Sequence, residues 1–195
     1  MDIPWLILFS KIDWKISMNN SRIIEWINNC VTKNSSSTQL NSIEIENVLH
    51  FSLLWNIFED VFWTRSNSPR NPNDAFSLRK VHSVVEANAN KLDESIITPI
   101  FCYFHNRYQD NKKFKALKFR HNEKETEDKL LSMLSSAVNI NLNHKAYFIS
   151  SIIYRFRNNL FHGEKQMIKI SLQEENFQNA NEFLMHFIEK CKGEL

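Results

Sequence analysis

The greatest concentration of chemically capable side chains is Arg155–Lys165, RFRNNLFHGEK. Arginine carries a permanent planar cation whose N–H fork matches phosphate oxygens. Histidine titrates near neutral pH and can take the proton of a ribose 2′-hydroxyl. An arginine, a polar residue and His162 near one helix end would form a compact phosphate-handling group. Arg155 stands seven residues before His162, on the same side of a regular helix and two turns away. Arg157 stands five before, about 140° around. Wheel geometry favours Arg155, but a helix ending near His162, with Gly163 as its stop, frees the imidazole from the wheel.

Other groups have the types but not the company. Cys102 and His105 form one CxxH, and no second pair stands at a zinc-ligand spacing, so no metal is expected. Arg107 to His121, RYQDNKKFKALKFRH, holds six cations and one acid among Tyr108, Phe114 and Phe119. Cations for phosphates with aromatics for stacking suit single-stranded RNA. The same composition also describes a solvated face whose phenylalanines pack inward.

These residues need elements to carry them, and composition limits which. The chain has 195 residues, 43% of them hydrophobic, enough for one domain. Only two glycines are present, which excludes phosphate-binding Walker and Rossmann loops and points to an all-α protein. A net charge of +2 leaves nucleic-acid binding to local clustering. Three scattered cysteines imply no disulfide framework and suggest a cytoplasmic home. The apolar run Ile3–Phe9 is far shorter than the roughly 20 residues of a bilayer span, so no membrane partner is expected.

Apolar spacing predicts helices at 4–16, 21–33, 41–65, 76–90, 92–108, 124–140, 144–162 and 173–192. Pro99 should open or kink its helix, and 34–38 and 67–74 read as polar connectors. Three core stripes stand out: Val48, Phe51, Trp55, Phe58 and Phe62; then Ile149, Ile152, Ile153, Phe156 and Leu160; then Phe177, Leu184, Phe187, Ile188 and Cys191. A four- to five-helix bundle follows, with 66–122 as a helical insertion. Ser150, Tyr154 and Phe161 form a second stripe around Arg157. A monomer would leave it wet, and a two-fold dimer would bury it and bring two Arg–His sets to a shared cleft. Glu59, flanked by Ser52, Asn56 and Trp63, is placed to orient Arg157 or His162. Its plainer readings are a solvated acid, or an ion-pair partner for Arg157 with His162 capping its helix.

RNNLFHG, Arg157 to Gly163, resembles the signature of HEPN domains (higher eukaryotes and prokaryotes nucleotide-binding): arginine, a polar residue, then histidine after four to six intervening positions. LLWNIFEDVFW, Leu53–Trp63, is similar to that family's earlier helix bearing an acidic residue. The resemblance covers about 41–65 and 124–192. It implies a HEPN-like bundle spanning 1–195 and a metal-independent endoribonuclease without cofactor, leaving 2′,3′-cyclic phosphate and 5′-hydroxyl ends. With Asn158 as the polar residue, it selects Arg157 and His162 as catalytic. Asn158, Arg155, Glu59 and Tyr154 support them, and Lys112, Lys113, Lys115, Lys118 and Arg120 bind RNA. Such domains commonly act as homodimers in toxin–antitoxin or antiviral defence, with a cognate antitoxin or sensor. The alternative is a non-catalytic HEPN-like module that binds RNA, nucleotide or a partner.

Overall fold

The computed structural model describes Glu25 and residues 42–64, 76–135, 140–161 and 173–192. Seven α-helices occupy these residues: α1 (Ser42–Thr64), α2 (Leu78–Asn88), α3 (Glu94–Tyr108), α4 (Asn111–Lys115), α5 (Lys124–Ser135), α6 (Leu142–Phe161) and α7 (Glu174–Cys191). Short 3₁₀ turns at Ala89–Lys91 and His121–Glu123 join them, and no strand occurs among the described residues. The all-α class is therefore the one the sequence predicts. The helices expected at 4–16 and 21–33 fall outside the described residues, Glu25 excepted, which is helical.

Short polar side chains set where the helices begin. Ser77 caps α2 by accepting from the Lys80 amide, and Asp93 caps α3 by accepting from that of Ser95 at 2.8 Å. Asp110 caps α4 in the same way through the Lys112 amide, which creates a helix the apolar spacing did not predict. Pro99 does not open α3, because Asp93 already does; it lies exposed inside the helix.

The middle of the molecule is α6, whose residues 145–156 are all buried. Helices α2, α3, α5 and α7 each pack against it, and α1 packs against α7. Rings fill the seams: Phe51 meets Phe177 at 5.2 Å, Phe58 meets Phe187 at 5.6 Å and Phe104 meets Phe156 at 5.8 Å. Fully burying side chains of this size contributes about 1.5–3 kcal/mol each, so the three predicted stripes do supply the core.

Within 66–122, expected as a helical insertion in the bundle, α2 and α3 pack directly on α6, and Val81, Val85, Ile97, Phe101 and Phe104 belong to the same core. One expectation is corrected. The Ser150–Tyr154 stripe is not wet in one copy of the chain. Both residues are buried; Tyr154 packs near Trp55 at 6.1 Å and the Ser150 hydroxyl donates to the Tyr147 carbonyl. At these two positions the flank of α6 is already covered within one copy of the chain. Exposed apolar residues stand instead on α1, at Leu49, Leu53 and Ile57.

Candidate functional site

The two arginines near the end of α6 have opposite fates. Arg155 is 2% exposed and faces the turn after α4. Its Nη1 donates to Glu123 at 3.0 Å, its Nε to the Leu117 carbonyl at 2.9 Å, and its Nη2 to the Lys118 carbonyl and Asn159 Oδ1. Lys118 adopts φ 54°, and this left-handed turn aims its carbonyl at the guanidinium. Asn159 completes the lock by donating to the Leu117 carbonyl at 3.2 Å. Arg155 is therefore spent on holding the chain together, which removes it as the expected phosphate-binding neighbour.

Arg157 points the other way, toward α1. Its side chain is 29% exposed and its Nη2 lies 3.5 Å from Glu59 Oε1. Its Nη1 donates to Asn158 Oδ1 at 3.2 Å. Asn158 is itself 3% exposed, and its Nδ2 finds no acceptor among the described residues. Glu59, Arg157 and Asn158 thus come together as the residue types suggested, with Tyr154 one turn back on α6. His162 and Gly163 lie outside the described residues, as does the side chain of Phe161.

The basic segment keeps its cations outward and its rings inward. Lys112, Lys113, Lys115, Lys118 and Arg120 are all exposed. Tyr108 and Phe114 are buried, and the half-buried Phe119 stacks on Phe114 at 5.8 Å. The surface offers charge to a polyanion, while its aromatic side chains are already used by the core. Cys102 is half-buried and His105 packs between Phe101 and Phe148, and no group of three metal-ligating side chains gathers among the described residues.

Sequence reasoning missed a cavity of about 760 Å³ between α2, α5 and α6. On one wall the His82 ring stacks on Tyr147 at 3.9 Å, and His82 Nε2 and Ser151 Oγ are 2.8 Å apart. Lys129 covers the Tyr147 ring 3.7 Å from its centroid. Arg79, Arg120, Glu86 and Glu125 stand around the same space. These residues come from three helices and the turn before one of them, far apart along the chain, so no linear motif announces them.

Burial pushes the His82 imidazole down to about 3, with the Lys129 charge adding to the effect. In the unfolded chain it titrates near 6.5. Between those values the unfolded chain binds a proton that the folded chain refuses, so stability falls as pH drops through that window. The expected difference is about 3 kcal/mol between pH 7.5 and pH 4.5. Urea melts of wild type and His82→Gln at both pH values check this. The variant should lose that much less stability on acidification, and equal losses contradict a neutral buried ring.

No family model, curated protein or solved structure matches the chain. The fold defines the class of an all-α protein without a helix long and apolar enough to cross a membrane among the described residues.

Proposed function

We propose that this protein is a metal-independent endoribonuclease of HEPN type. One observation carries the reading above others. Arg157 stays within reach of solvent near the end of α6 while Glu59 and Asn158 hold its guanidinium, and the competing Arg155 is consumed inside the protein. Asn158, 3% exposed, holds the guanidinium through its Oδ1, which accepts from Arg157 Nη1.

In this reading His162 takes the proton of a ribose 2′-hydroxyl, and that oxygen attacks the adjacent phosphorus. The bond from phosphorus to the 5′-oxygen breaks, and the 5′-oxygen leaves as a hydroxyl after gaining a proton. Arg157 neutralises charge building on the phosphorane oxygens. The exposed cations Lys112, Lys113, Lys115, Lys118 and Arg120 bind flanking phosphates. As the family resemblance implies, the protein works as a cytoplasmic homodimer, as a toxin or antiviral effector held by an antitoxin or triggered by a sensor.

The test is incubation of the purified chain with structured and unstructured RNA in excess chelator. Wild type is expected to leave cyclic phosphate and 5′-hydroxyl ends, and His162→Ala to leave the RNA intact while melting normally. A second reading, RNA binding without cleavage, is favoured by the exposed cationic run. Intact RNA with wild type, together with retardation that weakens steeply with salt, selects it and rejects the nuclease.

A further inference from the structure

The cavity between α2, α5 and α6 has a direction. Glu94, which opens α3 six residues after α2 ends, binds Lys145 at the start of α6 at 2.8 Å, while Trp55 packs near both Phe76, just before α2, and Tyr154, late in α6. Helices α2 and α6 therefore run antiparallel. The same holds for α5: Glu123, just before it, meets Arg155, and Lys129, further along, meets Tyr147. Arg79 and Arg120 accordingly lie toward the Tyr154 end and Glu86 toward the Tyr147 end, while Glu125, two residues past Glu123 at the start of α5, reaches in so that its charge bears on Tyr147.

The charges at the two ends are opposite and unspent. Arg155 neutralises the buried Glu123, so the first end keeps the two cations Arg79 and Arg120. At the second end Glu86 and Glu125 bear on the Tyr147 hydroxyl, and their two charges meet the single cation of Lys129, which is seated on the ring face. Arg79, Arg120, Glu86 and Glu125 make no ion pair among the described residues, and all four are exposed to solvent at the rim. A cavity of about 760 Å³ falls within the range of small-molecule sites, roughly 300–1,000 Å³. Arg79 and Glu86 are separated by about 10 Å along α2 at the helical rise.

We propose that this cavity is a binding site for a small elongated zwitterion, with a phosphate held by Arg79 and Arg120 and a protonated amine held by Glu86 and Glu125. The arginine forks match phosphate oxygens in a bidentate manner, and two carboxylates facing one counter-charge favour an ammonium group. His82 supplies no competing positive charge, because burial keeps it neutral above strongly acid pH. Arg157 does not line this cavity, whose occupancy does not depend on cleavage of RNA.

Titration calorimetry with the full chain tests this, using 6-aminohexyl phosphate as the probe, whose charged ends are about 10 Å apart when extended, a match to the helical rise. Hexyl phosphate, 6-aminohexan-1-ol and inorganic phosphate are the comparison compounds. The zwitterion is expected to bind at least tenfold more tightly than any of them. Arg79→Ala with Arg120→Ala should abolish that binding. Glu86→Gln with Glu125→Gln should reduce the zwitterion to the affinity of hexyl phosphate. These rim substitutions should leave the melting curve nearly unchanged. Equal affinity for the zwitterion and hexyl phosphate, binding unaffected by either pair of substitutions, or no binding at all overturns the proposal.

Discussion

Arg155→Ala is expected to destabilise the protein by about 3–5 kcal/mol and to lower its melting temperature by about 6–20 °C. The truncation strands Glu123, 7% exposed, without its counter-charge in the interior. It also removes the Arg155 donors from the carbonyls of Leu117 and Lys118, leaving Asn159 on the first, and opens a void beside Phe119. A buried carboxylate without a partner costs far more than the pair contributes while intact, because the desolvation penalty persists when the attraction is gone. Arg155→Met combined with Glu123→Leu should therefore be much milder than Arg155→Ala alone. Thermal or urea unfolding of the three proteins checks the order, and a double variant as unstable as the single one contradicts it.

That same arginine shows what a sequence can and cannot disclose. Spacing alone located the core, since Phe51, Trp55 and Phe58 recur at helical intervals and burial follows periodicity. Spacing also gathered Glu59, Arg157 and Asn158, because two of them are chain neighbours and the third sits on a strongly patterned helix. The fate of Arg155 was not legible. What decides it is a glutamate 32 residues earlier and a left-handed turn at Lys118, neither of which marks a linear pattern. The central position of α6 was hidden for a related reason. Its polar residues Lys145, Ser151 and Asn159 are each buried with a partner: Glu94, His82 and the Leu117 carbonyl. Polar side chains satisfied from other helices erase the amphipathic signal that would have announced burial. Helices α2 and α3 were legible in apolar spacing, but the partner each packs on was not, because a periodic face does not name what covers it.

Arg157→Ala should behave in the opposite manner to Arg155→Ala. Its guanidinium is partly exposed and its contact with Glu59 is 3.5 Å, so the ion pair contributes at most about 1 kcal/mol to stability. If its task is to meet charge developing on phosphorus, removing it should lower the RNA cleavage rate by about 10²–10³-fold with the fold intact. Arg157→Lys retains the charge but not the planar fork, and should recover only part of the rate. Glu59→Gln tests orientation: the arginine keeps its charge and loses its anchor on α1, so cleavage should slow less than in Arg157→Ala. In the Glu59→Gln background, Arg157→Ala should then cost a smaller factor than it does in wild type, because the two side chains act as a unit. Independent, fully multiplicative losses would assign Glu59 a purely structural role. Unchanged cleavage in Arg157→Ala would remove the guanidinium from the reaction, whatever His162 does.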